Sequence, residues 1–112
     1  MNSPNEVKVV VAILTAAADR AGLSTDDLRG PAQNSAVSWP RQEAMLAIRE
    51  ATNYTIAGIG RIFLRRGVTT VYHGLRSAQG REELRVGGTR ETMLALRKVA
   101  RDERIKLLKE EA

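Results

Sequence analysis

The sequence predicts an all-α fold of four helices and one or two further short ones. Apolar residues recur at the three- and four-residue spacing of amphipathic helices. Glycine or proline interrupts that spacing at the places where helices are expected to end. The 112 residues suffice for one compact domain, and with 4% aromatic residues its core must be largely aliphatic.

The first two helices are predicted from an apolar stripe and a cap. A helix over residues 7–20 ends at Gly22, and Ser24 is a suitable N-cap for a short helix running to Arg29. Two acidic residues in the first turn of the short helix favour that assignment. The stripe of the first helix consists of Val7, Val10, Val11, Leu14 and Ala18.

A loop and a third helix are expected next. Residues 32–38 show no periodicity, which is typical of a loop. Pro40 suits the first position of a helix, because its missing N–H has no partner there, and this helix is expected to reach about Thr52. Its apolar face comprises Ala44, Met45, Ile48 and Ala51.

Two short helices joined by a tight turn are predicted in the middle of the chain. Thr55 caps a helix over residues 56–63, and a second helix runs from residue 68 or 69 to about 78. We expect Gly58 and Gly60 to let the two helices approach closely. The arrangement is typical of a helix-turn-helix, whose second helix enters the major groove of DNA. Similar helix pairs also occur in proteins that bind no DNA.

The C-terminal part is predicted to be a polar linker followed by an amphipathic helix. We expect a helix-turn-helix domain at 1–79, a linker at 80–88 and a C-terminal helix at 89–112, capped by Thr89. Its stripe either docks on the domain or forms a partner surface, for a dimer or for another protein. The candidate partner-binding residues are Met93, Leu96, Val99 and Leu107.

Positive charge is concentrated in the middle of the chain. The net charge is +5, and residues 29–81 contain eight Arg, no Lys and only two Glu. A local excess of Arg indicates a polyanionic partner, because guanidinium groups bind phosphates and guanine edges in a bidentate manner. A solvated basic face is the alternative. Arg65 and Arg66 directly precede the second helix of the pair.

Other function classes lack their characteristic residues. Without cysteine, the chain forms no disulfide, zinc–thiolate site or reactive thiol, and His73 alone cannot build a metal site. No phosphate-binding loop is present, and the glutamates have arginine neighbours rather than an acid–base partner. We therefore expect no enzymatic activity and no metal, cofactor or small-molecule substrate.

The N-terminal segment predicts a protein of the cytoplasm. Residues 2–6 are polar and do not resemble a signal peptide. The apolar run 9–18 is far shorter than the roughly 20 residues that span a bilayer. We expect a cytoplasmic, nucleoid-associated protein without a membrane partner.

Residues 39–77 resemble the C-terminal DNA-binding domain, domain IV, of the bacterial replication initiator DnaA. A weaker likeness extends back to residue 7. The resemblance implies a helix-turn-helix domain of DnaA domain IV type, similar to that of the Trp repressor, with double-stranded DNA as its partner. The matching motifs are Pro40-Arg41-Gln42, Ile59-Gly60, Phe63, Arg66-x-x-Thr69-Thr70-Val71-x-His73 and Arg76.

The resemblance and the position of the second helix together assign candidate DNA contacts. Bases are expected to be contacted by Arg66, Val68 and Thr69. Phosphates are expected to be contacted by Arg41, Gln42, Arg49, Ile56, Ala57, Arg65, Thr70, His73 and Arg76. Three simpler interpretations remain open: the threonine pair only caps the helix, His73 is a surface residue without a role, and Trp39 packs on the core rather than on DNA.

The sequence also departs from the family pattern. Gly67-Val68 stands where the initiators carry an Asp-His pair, so this chain should not recognise the initiator's box in the same way. Val68 could instead contact a thymine methyl group. No Arg lies between Gly30 and Pro40 to enter the minor groove, and without a phosphate-binding loop we expect no ATPase part of the initiator type.

Three functions are compatible with these features. Stand-alone domains of this type resemble transcription activators of gene transfer agent and prophage gene clusters. By that analogy the C-terminal helix would contact RNA polymerase or a partner regulator. The alternative is a replication-associated accessory protein that binds origin-type sites without ATPase activity. A third possibility is a protein-interaction module that has lost DNA binding.

Overall fold

The computed structural model describes residues 2–64 and 66–111, and these residues form helices and turns without any β-strand. The predicted all-α fold is confirmed, and the described residues form four long helices and two short ones. None of the described helices is both long and apolar enough to cross a bilayer. The helices are α1 (Pro4–Ala21), α2 (Thr25–Arg29), α3 (Ser35–Ala51), α4 (Ile56–Ile62), α5 (Val68–Leu84) and α6 (Thr89–Glu111).

Short polar side chains set the beginnings of three helices. The Ser24 side chain accepts a hydrogen bond from the backbone at the start of α2, and the Thr55 side chain does so for α4, as predicted. α1 begins earlier than expected, because Ser3 caps it and Pro4 occupies its first turn. Gly22 ends α1 in the left-handed conformation, with φ of 69°.

The inward face of α1 is wider than the predicted stripe. Val10, Leu14 and Ala18 are buried as expected. Val7 and Val11, however, are 45% and 55% exposed, so their assignment to the core is wrong. The core face is completed instead by Val9, Ile13 and Ala17.

α3 begins five residues before the predicted start, so the expected loop at 32–38 is wrong for residues 35–38. The Asn34 carbonyl accepts hydrogen bonds from the backbone N–H groups of Val37 and Ser38, which starts the helix ahead of the proline. Pro40 therefore lies inside α3. Its missing N–H costs one backbone hydrogen bond in the second turn, and the helix tolerates this loss.

α5 is longer than predicted, and the expected linker at 80–88 is helical up to Leu84. The added turn is held by Arg81, which is 8% exposed and donates to the Thr89 hydroxyl at 2.9 Å. The Arg81 guanidinium also lies 4.4 Å from the ring centre of Trp39, which packs on the protein itself as expected. Arg85 ends α5 at φ of 57°, a stop that sequence cannot reveal because the residue is not glycine.

α6 docks on α1 and α3 and completes the core of the domain. The Arg97 guanidinium donates to Glu50 of α3 at 2.9 Å, and the Asn5 side chain at the start of α1 reaches Glu111 at the end of α6. Of the two alternatives for the C-terminal stripe, the structure adopts docking. Met93, Leu96 and Leu107 are buried, so their assignment as partner-binding residues is wrong, and Val99 is half-buried.

Candidate nucleic-acid interface

α4 and α5 form the predicted helix pair, and the turn between them is tight. The Arg66 N–H donates to the Gly60 carbonyl at 2.8 Å. A Cβ atom on Gly60 would overlap the Arg66 carbonyl oxygen, which confirms that this glycine permits the close approach. For Gly58 the prediction is wrong, because its closest neighbours belong to Tyr54 and Thr55 rather than to α5.

One face of α5 is presented to solvent from its first turn onward. Val68 is 52% exposed, and Thr69 and Thr70 are also exposed. Gly67 is the N-cap and no side chain caps the helix, so the interpretation that the threonine pair serves as a cap is wrong. The first backbone N–H groups of a helix lack partners within it, and here they lie beside exposed hydroxyl and methyl groups.

Further along α5, the exposed face continues with His73 and Arg76. Val71, Leu75 and Ala78 point to the opposite side and are buried. The helix therefore separates a packed face from a free one. The free face carries every residue of α5 that was predicted to contact DNA.

Several predicted phosphate contacts lie beside this face. Arg49, Ile56 and Arg76 line one groove of about 460 Å³ formed by α3, α4 and α5. Arg49 is exposed, and its guanidinium is steadied by donating to the Tyr54 carbonyl at 2.9 Å. Ala57 is exposed in the first turn of α4. The groove lies beside the middle of α5 and also includes Gln79 and Glu83, so the phosphate contacts of these residues stay a prediction.

Arg41 does not belong to this rim, and its prediction as a phosphate contact is wrong. The residue is 4% exposed. Its guanidinium donates to the carbonyls of Leu28, Ala32 and Gly30, each at 2.8 Å. Burial lowers its pKa. Arg41 therefore holds the connection between α2 and α3 in shape and has no free donor fork for DNA.

Arg66 is likewise used within the protein, so its prediction as a base contact is wrong. Its guanidinium donates to the carbonyls of Phe63 and Gly30, both at 2.7 Å. Burial lowers its pKa as well. The Gly30 carbonyl thus accepts from Arg41 and from Arg66, and it ties the helix-turn-helix turn to the connection between α2 and α3.

Comparison with known proteins identifies this helix pair. The family model described as the bacterial DnaA protein helix-turn-helix matches residues 10–77, which is more than half of the chain. The chain belongs to this family. The match is to a DNA-binding domain, so it supports DNA binding and assigns no catalytic activity to these residues.

Individual DnaA proteins show the same relationship. The chain is 36% identical over 67 residues to the chromosomal replication initiator protein DnaA of Thermus thermophilus, covering 60% of this chain and 15% of that protein. It is 44% identical over 57 residues to the DnaA of Oenococcus oeni, covering 51% of this chain and 13% of that protein. The chain therefore spans only a small part of these relatives.

A solved structure extends the likeness to nearly the whole chain. A crystal structure of a DNA replication initiation factor superposes with a TM-score of 0.73 at 26% sequence identity. The superposition covers 88% of this chain and 30% of the other. It therefore extends beyond the residues 10–77 that match the DnaA family model.

The arginines of the basic segment separate into two groups in this DnaA-type domain. Arg41, Arg66 and Arg81 serve internal contacts, whereas the others that the structure describes are exposed. The two acidic residues of the segment do not neutralise the charge of the exposed arginines. Glu50 pairs with Arg97 of α6. Glu43 is buried near Arg81, and burial raises the pKa of its carboxyl group. The exposed arginines are Arg29, Arg49, Arg61 and Arg76.

Gln42 and Arg65 are the remaining predicted phosphate contacts. The Gln42 amide oxygen accepts from Arg81 at 2.7 Å, which leaves its NH2 group for any phosphate, so that contact stays a prediction. The predicted phosphate contact Arg65 lies outside the described residues.

Three exposed residues near the turn and on α5 were not among the contacts predicted from the sequence. Arg29 and Arg61 line a depression of about 510 Å³ beside Gly30 and Leu64, and membership in the basic segment was the only sequence signal for them. Tyr72 is 47% exposed on the free face of α5. Its signal was its spacing, because it follows Thr69 by three residues and so lies on the same face.

Proposed function

We propose that the chain is a sequence-specific double-stranded DNA-binding protein that regulates transcription, as an activator of phage-like or gene transfer agent genes. The observation that carries the proposal is the exposed first turn of α5, where Val68 and Thr69 stand clear of the core. Family membership supports the DNA-binding half of the proposal. The regulatory half rests on the altered residues at the start of α5.

The start of α5 has the chemistry to distinguish base pairs. Val68 and the Thr69 methyl group suit the thymine methyl in the major groove, and the Thr69 hydroxyl suits either a donor or an acceptor on a base edge. Because Gly67 and Val68 carry neither an imidazole nor a carboxylate, the preferred sequence should differ from the initiator's box. A changed sequence preference fits a regulator that acts away from the replication origin.

The residues around α5 would fix the domain on the sugar-phosphate backbone. Arg49 and Arg76 supply cations, and Thr70 and His73 supply polar side chains. The N-terminus of α4, at Ile56 and Ala57, presents backbone N–H groups that bind phosphate oxygens. Such contacts give affinity that falls steeply as salt concentration rises.

Selection of bound sequences from a random duplex pool tests the proposal. Val68→Ala and Thr69→Ala should each lose about 1–3 kcal/mol on the selected duplex and little on unrelated DNA. Arg49→Ala should weaken binding to all duplexes and reduce the salt slope by about one. Lys8→Ala, an exposed cation outside α4 and α5, is the matched control. Equal losses on every duplex for Val68→Ala and Thr69→Ala would contradict base recognition by α5.

We propose that α6 contacts RNA polymerase or a partner regulator through its outer face. Leu94, Ile105 and Leu108 are 59%, 45% and 66% exposed. Their spacings of eleven and three residues place them on one side of the helix. The buried stripe of α6 is not available, so a partner would have to use these residues.

A separation of activation from DNA binding tests this surface. Ile105→Glu and Leu108→Glu should abolish activation in a reconstituted transcription assay while leaving the gel shift on the selected duplex unchanged. The control is Leu84→Glu, because Leu84 is an exposed leucine at the end of α5. Full activation by both α6 variants would rule out this face as the contact.

The relatives favour one alternative, a replication-associated accessory protein that binds origin-type sites without ATPase activity. The matched proteins named above are chromosomal replication initiators. Chromatin immunoprecipitation separates the two functions. Peaks at promoters support the regulator, and peaks confined to the replication origin support the accessory protein.

A further inference from the structure

Tyr72 is an exposed aromatic residue in the middle of the free face of α5. It follows Val68 by four residues and Thr69 by three, which places the three side chains on one side of the helix. Tyr72 is 47% exposed, whereas its chain neighbour Val71 is fully buried. Tyr72 lines the groove of α3, α4 and α5 beside Leu46, Ile56 and Leu75, but about half of the residue stays open to solvent.

Two neighbours hold the tyrosine in place. The Arg76 guanidinium carbon lies 5.7 Å from the centre of the Tyr72 ring, within the range of a cation–π contact. Arg76 Nη1 donates a hydrogen bond to the Tyr72 hydroxyl at 3.3 Å. The His73 ring stands at 63° to the Tyr72 ring with 6.4 Å between centres. A side chain ordered before binding loses less entropy when it meets a ligand.

Because Arg76 is the donor in that hydrogen bond, the Tyr72 hydroxyl keeps its own hydrogen-bond donor. A phenol has one donor and can also accept, and Arg76 uses the acceptor. The O–H donor of Tyr72 stays free to donate outward. In the major groove, guanine, adenine and thymine present acceptors at N7, O6 or O4, whereas cytosine presents only its N4 donor.

We infer that Tyr72 contacts a base in the major groove by donating its O–H, and that Arg76 positions it for this contact. The inference rests on the proposed sequence-specific DNA binding and adds a specificity residue to it. α5 rises about 1.5 Å per residue, so Tyr72 lies roughly 5 Å beyond Thr69 along the helix. It therefore recognises a different base pair from Thr69, and the contacted base is not cytosine.

The same geometry gives Arg76 a second role. Tyr72 and Arg76 both line the groove of α3, α4 and α5 together with Arg49 and Ile56, so the N–H groups of Arg76 that Tyr72 does not use are available to the predicted phosphate rim. In this proposal the Tyr72 hydroxyl contacts a base while Arg76 contacts the backbone. The pair links the position of the duplex to the selection of one base.

The test compares sequences selected from a random duplex pool by the wild-type protein, Tyr72→Phe, Tyr72→Leu and the control Leu84→Ala. Tyr72→Phe keeps the ring and loses only the donor, and it should bind the wild-type duplex about 2–10-fold more weakly. It should also accept cytosine at one base pair that Thr69→Ala leaves specified. Tyr72→Leu should lose about 5–150-fold, and Leu84→Ala should change nothing.

The outcomes separate this inference from the proposed function. A wild-type protein that enriches no sequence overturns both. A wild-type protein that enriches a sequence, with Tyr72→Phe enriching the identical one at equal affinity, overturns the role of Tyr72 alone. An equal loss on all duplexes would make Tyr72 a backbone contact and would also overturn it. Thermal melting of each variant confirms that the domain is folded in the binding assays.

Discussion

Arg41→Ala is expected to destabilise the protein by about 3 kcal/mol or more, because a charged hydrogen bond contributes roughly 1.5–3 kcal/mol and Arg41 makes three. The substitution leaves the carbonyls of Leu28, Gly30 and Ala32 without their guanidinium donors. Part of that site is closed to solvent, since Arg41 is 4% exposed. The melting temperature should fall by at least about 10 °C, given roughly 4–8 °C per kcal/mol for a domain near this size.

Two further variants distinguish the mechanism. Arg41→Lys retains the charge, but a compact ammonium cannot reproduce the planar fork that reaches three carbonyls, so it should remain clearly destabilised. Arg61→Ala, which removes an exposed arginine, should melt within a few degrees of the wild type. Calorimetry of all three proteins measures the difference. If Arg41→Ala melted normally and instead lost affinity for every duplex, the phosphate role expected from the sequence would be restored.

The internal hydrogen bonds of Arg41 and Arg66 could not be predicted from the sequence. Guanidinium groups bind phosphate oxygens and peptide carbonyls with similar geometry, so residue type alone does not separate the two partners. The deciding carbonyl is that of Gly30, which lies 11 residues from Arg41 and 36 from Arg66. The hydrogen bonds of both arginines to this carbonyl form only once the α2–α3 connection and the helix-turn-helix turn have folded against each other.

Local signals were sufficient for much of the remaining fold. The caps at Ser24 and Thr55 and the stop at Gly22 depend on side chains or backbone within a few residues, and they were predicted correctly. The end of α5 was missed because Arg81 holds the extra turn through contacts with Thr89, beyond the end of the helix, and with Gln42, which is 39 residues away in sequence.

The shared Gly30 carbonyl also connects stability with the DNA-binding face. Arg66 is anchored on it while the Arg66 N–H bonds to Gly60, so the turn that precedes α5 is fixed from two sides. Loss of Arg41 would release the α2–α3 connection and remove a support of Arg66. The internal arginines therefore help to orient α5 without contacting DNA.

Gly60→Ala is the second change with a large expected effect, because the added methyl group would occupy the position of the Arg66 carbonyl oxygen. Backbone cannot move aside as a flexible side chain does, so the turn must open and its 2.8 Å hydrogen bond must lengthen or break. Overpacking costs about 1–3 kcal/mol and occasionally more. We expect a loss at the upper end of that range, measured by urea denaturation.

Gly80→Ala is the matched control, since Gly80 also lies within a helix but has no atom within 4 Å of the position of its Cβ. Alanine is favoured over glycine in a helix by about 1 kcal/mol, so this variant should be more stable than the wild type. If alanine lowers the free energy of unfolding at position 60 and raises it at position 80, close approach and not helix propensity determines the residue at position 60.

Because the turn sets the direction of α5, Gly60→Ala should also lose affinity for the selected duplex under conditions where it is still folded. Stability and affinity equal to those of the wild type would mean that the turn does not constrain the recognition helix.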